Sequence, residues 1–253
     1  MPKPTHTPKA DSKLTKVSPP RAEKPETSVN AAIDELKRFA TKSTLDGMAR
    51  YAIPSERAFG VAMRDVQAFA KRLGRNHQFA SQLWDTGWYE ARLLATYVDE
   101  PDKITVKQMD LWCRDFDNWA ICDTVCFALF DRSPHAWGRV EPWSKQTGEF
   151  QKRAAFALLW GLCAHDDNAT DDQYAKGLEL VERAAEDERN FVKKSVNMAL
   201  RSIGRCSPKL HTAAVKLAKR LSESTNPAAR WIGKDAFKEL TSEAMMKRMA
   251  GKR

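Results

Sequence analysis

One recurring segment constrains this chain more than any other feature. WYEARLLATYV (88–98), EFQKRAAFALLWGL (149–162), NFVKKSVNMALRSIG (190–204) and RWIGKDAFKEL (230–240) share a theme. Each has an aromatic residue at its start, a cation three or four residues later, and then an apolar run. The aligned cations are Arg92, Arg153, Lys194 and Lys234, with 41 residues from Arg153 to Lys194 and 40 from Lys194 to Lys234. Arg92 to Arg153 is 61, and WAICDTVCFALF (119–130) falls between them with Asp123 in the aligned position. A period near 40 with two helices per unit is the mark of HEAT-type repeats. Such a pair cannot bury its apolar face alone, so pairs stack into a curved solenoid. The expected fold is all-α: a HEAT-like helical-repeat solenoid whose concave, cationic face carries Arg92, Asp123, Arg153, Lys194 and Lys234 in a row.

Local signals agree with helices throughout, and no segment shows sustained strand alternation. Early helices are expected over Ala31–Thr41, Ala58–Arg72, His77–Asp85 and Trp88–Val98, with a break at Ile53-Pro54-Ser55-Glu56. Residues 1–28 carry six of the twelve prolines and almost nothing apolar. They cannot bury enough surface to offset ordering entropy and read as a disordered basic tail. The ordered body spans 29–244, and 245–253 reads as a second basic tail. The first tail is +3 and the second +4 of a total of +9, so the body is nearly neutral. Two basic tails suit a polyanionic partner and also suit simple solubility.

Several function classes fall away. No run of eighteen apolar residues suggests a membrane span, and the N-terminal stretch lacks the apolar core of a secretory signal. Five cysteines in largely apolar helical context suit reduced, buried thiols and a cytoplasmic protein. Cys122 and Cys126 are four apart, but nothing nearby completes a metal set, so no metal or other cofactor is expected. No phosphate-binding or dinucleotide fingerprint is present. His135 and His165 are read as loop residues, His77 and His211 as surface residues near helix starts. Trp137 and Trp143 are read as flanking a linker, HAWGRVEPW, that packs across helix ends, and as having core roles.

Charge is unevenly placed. From Asn190 to Arg220 there are eight Lys or Arg and no acid, including Lys193, Lys194 and Arg201. The stretch before it is acidic. Such segregation is expected to make one face positive, spaced to meet a phosphate backbone and weakened by salt. The plainer alternative is a solvated helix face.

Asp123 is a lone carboxylate in an apolar run, and in a helix it shares a face with Trp119. Trp112 and Phe116 are placed on about the same stripe. A carboxylate there is costly unless it meets a cation or donors, and Arg153 of the next repeat is the candidate. The pair could simply stitch two helices together. It could also do chemistry, because a carboxylate beside an electron-rich ring favours positive charge between them. Rupture of an N-glycosidic bond makes such a charge on the sugar, which the acid could stabilise while orienting a water.

These residues resemble a known family. DNWAICD, with Trp119 and Asp123, is similar to the Trp-x-x-x-Asp motif of AlkD-type DNA alkylation repair proteins. FQKRAAFALL, with Arg153, resembles the family's following arginine motif. MARYAIPSERAFG (48–60) and LWDTGWYEARLLA (83–95) resemble its N-terminal segments, and the likeness runs from about residue 30 to 240. The resemblance implies a HEAT-like solenoid holding duplex DNA in a cationic concave groove. It implies a glycosylase for cationic N3- and N7-alkylated purines that needs no metal and does not flip the damaged base. On that likeness Asp123 is the catalytic carboxylate, Trp119 contacts the DNA backbone and lesion sugar, and Arg153 holds the phosphate and orients the site. Arg92, Lys193, Lys194, Met198, Arg201 and Lys234 would face the DNA. One position departs: NMALR places Met198 where the family carries a tryptophan, and methionine has no flat ring face for a cation. The expectation is a monomeric glycosylase acting on alkylated double-stranded DNA, nucleoid-associated when bound. The alternatives are a non-catalytic solenoid that binds duplex DNA or DNA structures, and a solenoid that binds proteins.

Overall fold

The computed structural model describes residues 28–251. The first tail, apart from Ser28, and the last two residues lie outside them. The helices are α1 (Val29–Arg38), α2 (Lys42–Met48), α3 (Met63–Leu73), α4 (His77–Asp85), α5 (Tyr89–Val98), α6 (Val106–Arg114) and α7 (Trp119–Ala128). They continue with α8 (Trp137–Ser144), α9 (Glu149–His165), α10 (Asp171–Ala184), α11 (Asn190–Ile203), α12 (Pro208–Ser222), α13 (Pro227–Leu240) and α14 (Glu243–Ala250). Among the described residues there is no strand.

The starts are written in local chemistry. Ser28, Thr41, Asn76, Thr105, Asn118, Thr170, Ser207 and Ser242 each accept a backbone N–H of the first turn on a side-chain oxygen. Each satisfies one of the donors a helix start leaves open. Asn226 takes two such donors, and prolines open α12 and α13, where a missing N–H costs nothing.

The helices pack in the alternating way the period implies. Helices α5, α7, α9, α11 and α13 lie side by side as one layer, each touching the next. Helices α4, α8, α10 and α12 pack against α5, α9, α11 and α13 from the other layer. The layer of α5, α7, α9, α11 and α13 is the inner one in the sense of burial: Ala154, Ala155, Phe156, Ala157, Leu158 and Leu159 of α9 are all buried. One continuous apolar core runs along the stack.

Several local expectations change. The helix expected from Ala58 begins at Met63. The backbone N–H groups of Phe59, Gly60 and Val61 instead donate to the Glu90 carboxylate at 2.9, 2.7 and 3.1 Å. Gly60 lies at φ +86, and a Cβ there would meet the Thr41 carbonyl oxygen at 2.6 Å, so only glycine passes. HAWGRVEPW is no linker: α8 runs through it with Pro142 inside. The Trp137 and Trp143 indoles donate to Asp166 and Asp110, each at 2.8 Å. Trp112 and Phe116 are not on the Trp119 face, because α6 stops at Arg114 and a new helix starts at Trp119. Trp112 instead stacks on Trp84 at 3.9 Å between centroids, with Phe116 edge-on to Trp84.

The boundary expected at 244 falls inside α14, whose Met245 and Met249 are buried. His165 ends α9 and pairs with the buried Asp131, and His211 is buried against the Gly204 carbonyl. All five cysteines are free thiols.

Candidate active site and nucleic-acid interface

Asn118 caps α7, accepting from the Ile121 N–H at 3.0 Å. This cap sets Trp119 as the first helical residue and places Asp123 one turn on. Asp123 leans across to α9. Its two carboxylate oxygens accept from Arg153 Nε at 2.8 Å and Nη2 at 2.5 Å. This side-on, two-point geometry is the strongest form of the pairing and fixes direction as well as distance. The remaining terminal nitrogen of Arg153, Nη1, donates to the Phe191 carbonyl of α11 at 2.6 Å. One guanidinium thus ties three inner helices together.

The Arg153 side chain is only 6% exposed, whereas that of Asp123 is 15% exposed. The carboxylate opens on a cavity of about 480 Å³ lined by Arg50, Tyr51, Ala52, Trp119, Arg153, Asn190, Phe191 and Lys194. Burial pushes the Asp123 carboxyl above the ordinary carboxylate range, opposed by the charge and hydrogen bonds of Arg153. Burial would lower the pKa of Arg153, but Asp123 outweighs it and raises it. The guanidinium is therefore a fixed cation beside an acid that burial holds closer to neutrality.

Trp119 is half-buried, and its indole N–H donates to the Tyr51 carbonyl at 2.7 Å. That bond spans 68 residues and sets the ring's azimuth at the cavity wall. Lys194 is exposed at the rim and has no ion pair among the described residues.

The other expected interface residues divide. Lys234 is exposed. Lys193 covers the Trp231 ring at 5.1 Å, a cation–π contact that leaves its charge near solvent. Met198 is half-buried and packs on the core. Arg201 is not free: it pairs with Glu239 at 2.5 Å and stands 3.9 Å from Asp235. Arg92 is turned away from Asp123. It stacks over Trp84 at 5.0 Å and donates to the Asp115 carbonyl at 3.1 Å, lining a neighbouring cavity with Asp115, Asp117 and Tyr89.

The acid-free run from 190 to 220 is not uniformly free to meet a partner. It is split between α11 and α12, and Arg205, Lys209 and Arg220 meet Glu239, Asp172 and Glu182. Together with Arg201, four of the run's eight cations are thus paired by acids distant in sequence, which no local reading detects. Three of the five N–H donors of Arg153 already serve Asp123 and Phe191, which leaves one on each terminal nitrogen for the phosphate expected there. The sequence reading missed the carbonyl of Tyr51, the carbonyl of Phe191 and the whole turn at Arg50–Ala52. Backbone acceptors carry no residue signature, and the turn's only hint was its place in MARYAIPSERAFG.

Among the described residues no group of three or more His, Cys, Asp or Glu could hold a metal ion. None of the described helices is long and apolar enough to cross a membrane.

Stacked helix pairs with a carboxylate–tryptophan site on the inner layer define a HEAT-like repeat protein. Residues 32–240 match the family described as "DNA alkylation repair enzyme", and the chain belongs to that family. A solved structure described as "A new family of proteins related to the HEAT-like repeat DNA glycosylases with affinity for branched DNA structures" is similar to it in fold. The TM-score is 0.72 at 21% identity, covering 89% of this chain and 97% of that chain. No curated protein sequence matches.

Proposed function

We propose that this protein hydrolyses the N-glycosidic bond of cationic N3- or N7-alkylated purines in duplex DNA, without flipping the base. One observation carries the reading: the Asp123 carboxylate and the Trp119 ring open on one solvent-reachable cavity, with an unpaired cation, Lys194, at its rim. A pair that merely stitched helices would not need an open edge or a tryptophan fixed beside it.

The chemistry follows from charge. The alkylated base leaves with the electrons of the C1′–N bond and loses its positive charge, so no protonated acid is needed for departure. The sugar becomes oxocarbenium-like. Ionised Asp123 faces that cation, the Trp119 π-face adds to the negative field, and a water attacking C1′ can give up its proton towards the carboxylate. Arg153 is a positioning residue here: it aims both carboxylate oxygens and holds the local field. Lys194 meets a flanking phosphate, with Lys234 and Lys193 further along the inner layer. Incubating methylated duplex DNA with the protein should release free 7-methylguanine or 3-methyladenine, and Asp123→Asn should not. Absence of release by the unaltered protein would reject the enzyme reading.

A second reading is specifically favoured by Met198. The second aromatic wall is missing, and the similar solved structure is described as having affinity for branched DNA. On this reading the protein binds DNA junctions without cleaving them. Tight, salt-sensitive binding to a four-way junction without base release would favour it.

A further inference from the structure

We propose that the turn Arg50–Tyr51–Ala52 is a nucleobase-stacking element, whose Tyr51 ring receives the partnerless base opposite an abasic position beside the Asp123 cavity. The inference rests on the reading that the protein binds DNA.

Tyr51 is 65% exposed, the largest exposure among the exposed large apolar and aromatic side chains of the described residues. The other three tyrosines are buried or half-buried. An aromatic ring left in water at the mouth of a cavity forgoes its burial energy, so its position is informative.

The turn that carries it is built, not slack. The Ala52 N–H donates to the Ala49 carbonyl at 3.0 Å and the Ile53 N–H to the Met48 carbonyl at 3.1 Å. These paired bonds close a helix end with the next residue left-handed, a place that favours glycine. Ala52 occupies it at φ 53, the one non-glycine residue with positive φ among those described. The backbone conformation there is disfavoured for a residue with a Cβ.

The same turn is coupled to the site. The Tyr51 carbonyl accepts the Trp119 indole N–H at 2.7 Å. A ligand that presses on the Tyr51 ring therefore acts on the segment that aims Trp119. Arg50, next along, is exposed and makes no ion pair among the described residues. With Lys194 it puts two free cations on the rim, while the lone carboxylate of the lining, Asp123, is already held by Arg153. An exposed ring on the same cavity as two unpaired cations suits an unstacked base on a phosphate backbone. An acidic protein segment would use the cations but leave the ring idle.

The test uses the full chain and two short duplexes, one intact and one with a tetrahydrofuran abasic analogue and 2-aminopurine opposite it. Tyr51→Ala should weaken binding to the abasic duplex by about tenfold, as expected for loss of one base–aromatic stack. It should bind the intact duplex much like the unaltered protein. Tyr51→Phe should bind the abasic duplex normally, because the ring and not the hydroxyl does the stacking. The unaltered protein should quench 2-aminopurine fluorescence on binding, and Tyr51→Ala should not.

Unchanged affinity and quenching in Tyr51→Ala would overturn the proposal. So would a Tyr51→Phe loss equal to that of Tyr51→Ala. Should Tyr51→Ala unfold, absence of quenching by the unaltered protein overturns it. If the unaltered protein binds neither duplex in a salt-sensitive way, the DNA reading falls and takes this one with it. Salt-sensitive binding that ignores Tyr51 removes the stacking role alone.

Discussion

Two carboxylates sit near the starts of neighbouring inner helices, and they have opposite characters. Glu90 on α5 is 0% exposed and accepts three backbone N–H groups of the chain leading into α3. Asp123 on α7 is 15% exposed and is held by one guanidinium. Glu90 is an internal anchor: its partners are main chain, fixed by the path of residues 59–61, and no edge is left for a ligand. Asp123 keeps an open edge on a cavity with a tryptophan beside it. Burial alone marks neither as functional. The difference lies in what satisfies the charge and what reaches it from solvent.

Breaking Asp123 should have the largest effect. Asp123→Asn should lower base release from methylated duplex DNA by about 10²–10⁴-fold, the usual range for a positioned acid–base group. Duplex affinity in a gel-shift titration should stay near the unaltered value. Glu90→Gln should instead act on stability. Loss of the charge and of one acceptor against three N–H donors should cost about 2 kcal/mol, read as a lower midpoint in chemical denaturation. If Glu90→Gln kept its stability and lost release, the contrast would be reversed.

The pH profile sharpens the same comparison. Burial raises the Asp123 pKa against the pull of Arg153, and the ionised form is the one that stabilises a sugar cation. Base release should therefore climb with rising pH along a limb whose midpoint lies above the ordinary carboxylate range. That limb should be absent from any residual release by Asp123→Asn. A profile flat from the ordinary carboxylate range upward would separate Asp123 from the chemistry. The smallest effect belongs to Lys194, which has no counterpart near Glu90. Lys194→Ala should weaken binding about equally across sequences and reduce the salt slope of affinity by about one, measured by fluorescence anisotropy at several salt concentrations.

The repeat theme made much of the architecture legible. Its period identified the inner helices, and four of its five aligned positions fall on α5, α9, α11 and α13, with Asp123 on α7 between them. Helix α4 and the body of α5 follow directly from caps and periodicity. The start of α3 did not, since the Ala58–Ala62 stretch looks helical until Glu90 claims its N–H groups. Nor did α8, where Pro142 and two tryptophans read locally as an irregular segment.

At the site, the sequence by itself determined that Asp123 needs a partner, that Trp119 shares its face, and that Arg153 lies one repeat on. These are matters of helical period and of the cost of burying a charge, and both are local or periodic. Only the tertiary structure decided which cations remain free. Arg201 and Arg205 were removed by Glu239, and Lys209 and Arg220 by acids of α10, while Lys194 was left at the rim. It also decided that the Tyr51 carbonyl, 68 residues away, aims Trp119. Charge pairing and backbone acceptance depend on which atoms meet across helices, and composition along one segment holds no record of that.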